Sequence, residues 1–393
     1  MRYRQDLKGG NRMIYLDNAA TTFPKPISVT ESVAECMAEW CANPGRAGHR
    51  MAMKSGEEVY RTRNEIAGLI GCQADEIVFT QNCTGALNLA LHGILKPGDH
   101  VITTMMEHNS VLRPLNELRM RGVETSIVRC SPEGFPLEGA IEAAIRDNTR
   151  MIVCTMASNV TGTIMPVGEI GKIARQRGIL FFVDGSQGIG VLDIDVKDDN
   201  VDILATSGHK SLMGPQGTGF LYVRQGIPVH PIIQGGTGSE SRNISQPLSF
   251  PEGFEAGTVN VPGIAGLGEG IRFIKEVGIA EIRKKEEKLI DCLEMQTKKI
   301  NGLIRYGPKN PQNKVGIFSF NIEGIDCERT AALLDRKYGI AVRAGLHCAP
   351  LAHQAIGTGK TGCVRMSVSL FNTEQDMTAA AEAIRKIASE DRE

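Results

Sequence analysis

Between residues 76 and 223 the chain repeats one pattern: short apolar runs at 77–80, 100–104, 124–129, 151–156 and 180–183, separated by amphipathic stretches at 84–95, 110–121, 137–145 and 167–177. Two further runs, at 203–205 and 219–223, close the series. Strands spaced by helices of this length cannot pair as hairpins, because a parallel neighbour needs a crossover connection. The pattern therefore predicts an α/β fold with a large, doubly wound, mostly parallel sheet and helices on both faces. Ligands bind such sheets beyond the carboxyl ends of the strands, so residues at those ends are the candidates for chemistry.

Flanking segments complete the organisation. Residues 1–13 read as a polar N-terminal extension, and 14–262 as the large domain. Helices are predicted at 28–40 and 51–70, joined by a loop whose Arg46 and His49 suit either substrate binding or plain exposure. After Pro262 the pattern changes to long charged helices at 264–277 and 279–299, then strands near 317–322, 341–344 and 364–367 and a last helix at 374–389. Residues 263–393 are read as a smaller α+β C-terminal domain.

The run at 203–205 breaks into Ser207-Gly208-His209-Lys210 before a turn containing Gly214, Gly217 and Gly219. A lysine at the edge of a core loses part of its charge to burial, and its free amine can condense with an aldehyde. Pyridoxal 5′-phosphate (PLP) is the cofactor that uses this chemistry, although a lysine after a strand is also an ordinary turn residue. One strand earlier, the apolar run at 181–183 ends in Asp184, followed by Gly185-Ser186-Gln187. There a carboxylate can pair with a cationic ring nitrogen or serve as a turn cap. Asn82-Cys83-Thr84-Gly85 stands where a strand gives way to a helix, a place that suits a phosphate or a simple Thr84 N-cap. Ser207 and His209 add side-chain donors. His108, in Glu107-His108-Asn109, ends a further strand, where an imidazole can lie on a cofactor ring and move protons, or be purely structural.

Composition narrows the function classes. The 44 basic and 45 acidic residues leave a net charge of −1, so no overall field draws nucleic acid or an anionic membrane. No apolar stretch reaches the roughly 20 residues of a membrane span, and the first residues lack the apolar segment of a secretory signal. The expectation is a cytoplasmic protein. Ten cysteines are scattered without metal-like spacing, which suggests reduced thiols and no metal site.

Six segments in order, at 15–22 (YLDNAATT), 158–162 (SNVTG), 183–187 (VDGSQ), 207–210 (SGHK), 255–258 (EAGT) and 343–350 (RAGLHCAP), resemble the class V aminotransferase family of fold type I. Within it they resemble the cysteine desulfurases of the Suf and Csd group, which also includes bacterial selenocysteine lyases. The resemblance spans about residues 14–385. It implies that Lys210 holds PLP, Asp184 pairs with the pyridine nitrogen, His108 lies on the ring, and Gln187, with Asn159 nearby, reaches the phenolic oxygen. It implies further that Cys83, Thr84, Ser207 and His209 surround the phosphate, joined by Thr258 from the second subunit of a homodimer. Arg365 would receive the substrate carboxylate, with Arg343 as a second candidate.

Cys348 selects the reaction that the resemblance implies: L-cysteine is converted to L-alanine, and the sulfur is left on Cys348 as a persulfide for an acceptor protein serving iron–sulfur or thio-cofactor synthesis. L-selenocysteine is the alternative substrate, and another PLP chemistry of the same fold is the alternative enzyme. His347 and Arg343 are expected to supply the positive charge that favours the thiolate. The group often carries a second histidine just before this pair, where this chain has Leu346.

Overall fold

The computed structural model describes residues 13–44 and 48–390; nearly all of the expected N-terminal extension, and Arg46 of the first loop, lie outside the described residues. The chain runs through β1 (Ile14–Tyr15), α1 (Ile27–Glu35), α2 (Arg50–Ile70), β2 (Ile77–Thr80), α3 (Cys83–Ile94), β3 (His100–Thr104), α4 (Asn109–Met120), β4 (Glu124–Val128), α5 (Ala140–Ala143), β5 (Thr149–Thr155), α6 (Val167–Arg177), β6 (Leu180–Asp184), β7 (Ile203–Ser207) and β8 (Gly219–Val223). It continues through α7 (Val261–Val277), α8 (Ile279–Thr297), β9 (Leu303–Tyr306), β10 (Ile317–Ile322), α9 (Cys327–Tyr338), β11 (Ile340–Ala341), β12 (Arg343–Gly345), α10 (Pro350–Ala355), β13 (Cys363–Ser367) and α11 (Glu374–Glu390).

The large sheet has the order β2-β8-β7-β6-β5-β3-β4. Its pairings from β7 across to β4 are parallel, and β8 alone runs against its neighbours β2 and β7. Central strands of this kind are covered on both faces, and the side chains obey the two-residue alternation. Ile152, Phe181, Val183 and Leu204 enter one core, while Val153, Phe182, Ile203 and Ala205 enter the other. Register fixes the neighbours at the strand ends: Asp184 lies opposite Thr155 on one side and Ala205 on the other. The carboxylate and the segment leading to Lys210 thus leave the sheet side by side.

The smaller sheet, β12-β13-β10-β9, is antiparallel and packs on α8, α9 and α11 over a third core containing Phe318, Phe320, Leu334, Val364 and Ile384. In it Arg343 stands directly opposite Arg365, so both guanidinium groups rise from one place on the sheet. Residues 14–15 join this part of the molecule, because β1 pairs in parallel with β11 and Asp17 bridges to Ser367. The helix that follows residue 262 behaves oppositely. α7 packs against α1 and α2, burying Leu267, Ile271 and Ile274 with the large sheet.

Local differences from the sequence reading have local causes. The helix expected at 28–40 ends at Glu35 and finishes in a wider turn, Cys36–Trp40. The one expected at 137–145 shrinks to Ala140–Ala143 behind Gly139, whose positive φ of 68° sets its start. The strand expected at 341–344 divides at Val342, because its two halves pair with different partners, β1 and β13.

Candidate active site

A cavity of about 320 Å³ opens at the carboxyl ends of β3, β5, β6 and β7, and it gathers most of the predicted residues. Asp184 ends β6 almost fully buried. Its Oδ1 accepts the Ser186 amide at 3.0 Å and the Cys83 thiol at 3.4 Å. Burial and the neighbouring carboxylate raise the Cys83 thiol well above its ordinary range, so it stays protonated and donates. Across the cavity the Lys210 amine is pushed down, first by burial, with Asp184 opposing. A larger fraction of free amine near neutral pH follows.

His108 caps α4. Its Nδ1 accepts the Ser110 amide at 3.1 Å and stands 2.9 Å from the Ser110 hydroxyl, which leaves the ring proton on Nε2. Burial lowers its pKa to about 4, with Asp184 working against the shift and Lys210 with it, so the imidazole is neutral at pH 7. Ser110 also bonds Thr84 Oγ1 at 2.8 Å and thereby ties His108 to the start of α3. That helix is capped by Asn82, whose side chain takes the Gly85 amide. Thr84 is therefore not the N-cap. Ser207 Oγ accepts the Cys83 amide at 3.3 Å, and His209, lowered to about 4 mainly by burial, is held by Thr21. Asn82, Thr84, Ser207 and His209 line one end of the cavity at a helix N-terminus, the arrangement that receives an anion.

The other end is cationic. Arg365 is 1% exposed; its Nη1 donates to the Asn159 carbonyl at 2.8 Å, and its Nη2 to Asp17 Oδ1 at 2.9 Å. Its Nε is buried with no hydrogen-bond partner among the described residues. Asn159 Nδ2 donates to the His347 carbonyl at 2.7 Å, and Gln187 Nε2 to the Ala19 carbonyl at 2.9 Å, so both amides are oriented by backbone.

Cys348 is exposed beside this cavity, on a tight turn in which His347 and Cys348 take φ values of 49° and 58°. Such left-handed backbone is uncommon for non-glycine residues and persists only where it is over-determined. Here the Cys348 carbonyl accepts the Asn109 amide at 2.7 Å, and the His347 carbonyl is held by Asn159. Arg343 Nη2 lies 3.9 Å from Cys348 Sγ. His347 departs from expectation: it is buried, points away toward His353, and is held neutral by burial and by the nearby guanidinium of Arg365. The positive charge near the thiol comes from Arg343.

Thr258 stands outside this cavity and lines a neighbouring one with Gly85 and Gly217. His49, the described member of the first loop's pair, caps α2. Sequence reasoning missed Ser110, Asn109 and Asp17. Ser110 and Asn109 adjoin His108 in the chain and were within reach of a capping argument; Asp17 acts through a contact 348 positions away.

The chain matches the family described as Aminotransferase class-V over residues 14–379. A probable cysteine desulfurase of Methanothermobacter thermautotrophicus is 37% identical, the match covering 98% of this chain and 97% of that protein. A cysteine desulfurase of Yersinia pseudotuberculosis is 32% identical over 96% of this chain and 94% of its own. Among solved structures, a cysteine desulfurase from Thermococcus onnurineus superimposes with a TM-score of 0.90 at 33% identity, covering 96% of this chain and 95% of the other. With its lysine and buried aspartate at the carboxyl ends of neighbouring strands and an exposed cysteine on the turn after Arg343, the chain belongs to the class V aminotransferases and, within them, to the cysteine desulfurases.

Proposed function

We propose that this cysteine desulfurase holds PLP through Lys210 and passes the sulfur of L-cysteine through Cys348. The family depends on PLP, and the residues here fit that group: an amine relieved of charge, a buried carboxylate with one oxygen already fixed, and a helix N-terminus lined with hydroxyls. When bound, PLP supplies an electron sink that acidifies the substrate Cα–H. Asp184 would keep its ring nitrogen protonated, and Asn82, Thr84, Ser207 and His209 would cradle its phosphate.

The chain's own groups do the remaining work. Arg365 binds the L-cysteine carboxylate from its place in the cavity lining, beside Arg343, the observation that carries the substrate reading. Lys210, as free amine, removes the Cα proton and later returns it. His108, neutral with its proton on Nε2, would serve as a proton donor in the cavity that it lines. Cys348 Sγ, as thiolate beside Arg343, attacks the substrate sulfur; a sulfur–sulfur bond forms, the carbon–sulfur bond breaks with its electron pair left on the β-carbon, that carbon takes up a proton, and alanine leaves.

The persulfide would then pass to an acceptor protein, because Cys348 is exposed on a turn pinned from behind by Asn109 and Asn159. A homodimer would bring Thr258 of one subunit to the phosphate end of the other. Among the described residues no helix is long and apolar enough to cross a membrane, which agrees with work in the cytoplasm. The test is mass spectrometry of protein incubated with L-cysteine: a gain of one sulfur on the Cys348 peptide, and loss of the visible cofactor band in Lys210→Ala, support the reading, whereas sulfur on a different cysteine overturns it.

A further inference from the structure

Behind the Cys348 turn lies a cluster that this reaction does not use. His347 Nδ1 and His353 Nε2 are 3.4 Å apart, with ring centroids separated by 5.6 Å and planes within 15°. Their ligand nitrogens and Cys363 Sγ all lie within 4.8 Å of one another, and all three residues are buried. Each histidine has an outer partner. His353 Nδ1 is 2.7 Å from Thr358 Oγ1, and His347 Nε2 is 3.5 Å from the Arg343 carbonyl.

We propose that His347, His353 and Cys363 form a closed binding site for one soft d10 cation, Cu⁺ in first place. Two imidazole nitrogens on one such ion stand about 3.3 to 3.6 Å apart, given metal–nitrogen distances of about 2.0–2.1 Å, and the 3.4 Å observed falls in that range. A carbonyl only accepts, so a bond from His347 Nε2–H to Arg343 leaves Nδ1 as a lone pair aimed at His353. When Thr358 accepts from His353 Nδ1–H, His353 Nε2 presents a second lone pair to the same point. This outer orientation of metal-binding imidazoles by hydroxyl or carbonyl groups is the usual one. The sulfur, within 4.8 Å of both nitrogens, completes the donor set.

The donor set and the charges select the metal. Two imidazoles and one thiolate, with no fourth histidine, cysteine or carboxylate in the cluster among the described residues, suit copper better than a hard cation. Binding breaks the Cys363 S–H bond, forms a Cu–S bond and releases one proton to solvent, with no change of oxidation state. Burial holds that thiol up at about 12, so the proton must be displaced by the metal. Cu⁺ with one thiolate adds no net charge, whereas Zn²⁺ adds one positive charge beside Arg365 and Arg343. An occupied site would tie β13, α10 and the Cys348 turn together.

The test is an anaerobic titration of the cofactor-loaded full chain with Cu⁺ against a chromophoric Cu⁺ chelator, with Zn²⁺ in a parallel arm. The expected result is one equivalent bound at least a hundredfold more tightly than in Cys363→Ala or His353→Gln, unchanged in Cys348→Ser, and tighter than Zn²⁺. Melting curves and the visible cofactor band establish that each variant is folded, and a His347→Gln variant provides a further ligand deletion. The proposal is overturned if folded Cys363→Ala and His353→Gln bind Cu⁺ as the parent does, if binding disappears in Cys348→Ser, or if the parent binds none. This binding readout is independent of desulfurase activity.

Discussion

Arg365 and Asp17 form an ion pair at 2.9 Å, joining the last strand of the small sheet to the turn that follows β1. Arg365 is 1% exposed, so the pair compensates a charge that water does not reach. Both Nη groups are engaged, one by Asp17 and the other by the Asn159 carbonyl, while Nε has no hydrogen-bond partner among the described residues.

Two substitutions separate these roles. Asp17→Asn strands a buried charge, and thermal unfolding should show a loss of about 3 kcal/mol. Arg365→Lys keeps the charge but loses the planar fork, so the KM for L-cysteine should rise about thirtyfold, equivalent to about 2 kcal/mol of charge-assisted hydrogen bonding, with a smaller fall in kcat. Steady-state kinetics on L-cysteine check the second outcome, and an unchanged KM would remove Arg365 from substrate binding.

Glu107 is fully buried next to His108, and burial raises its carboxyl from an ordinary 4.5 to about 8. Its Oε1 accepts from Thr104 Oγ1 and the Thr155 amide, while Oε2 has no partner among the described residues. Between pH 4.5 and 8 the folded chain holds a proton that the unfolded chain has released, so this group's contribution to stability falls as pH rises through that window. Glu107→Gln removes the titration. Denaturant unfolding of the variant should show a flatter pH dependence and greater stability than the parent at pH 8; a parallel profile would contradict it.

His108 is neutral down to about pH 4. Replacement by Gln should lower kcat about 10² to 10⁴-fold if its proton is used. The acid limb of kcat/KM between pH 5 and 8 should keep its shape, because His108 does not titrate there. A limb near pH 6.5 that vanishes in the variant would show that the imidazole is charged in the working enzyme.

Asn159→Ala deletes the donor to the His347 carbonyl, a buried acceptor. The cost should be about 1 to 3 kcal/mol, accompanied by faster hydrogen exchange in the Cys348 turn, measured by mass spectrometry on the peptide that contains it.

Much of this site is legible in the sequence because its groups sit at strand ends. Asp184 and Lys210 terminate apolar runs that can only be neighbouring parallel strands, and the β6–β7 register brings them together. Groups whose meaning depends on the meeting of the two sheets are not legible. Arg365 looks like a free fork until Asp17 is seen on it, and β1 is too short to reveal that it pairs with β11. His347 reads as a cation beside Cys348, since adjacency in the chain hides that the left-handed turn sends the two side chains to different environments. His353 and Thr358 carry no signal at all until α10 and the turn after it bring them together.

In the proposed reaction, sulfur leaves L-cysteine through Cys348. The most direct measurement is the release of alanine and sulfide from L-cysteine by purified, cofactor-loaded protein with a reductant, beside Cys348→Ala. Equimolar alanine and sulfide are expected from the parent, and neither from the variant, with the visible cofactor band retained in both. Undiminished sulfide release by Cys348→Ala would contradict the proposed reaction.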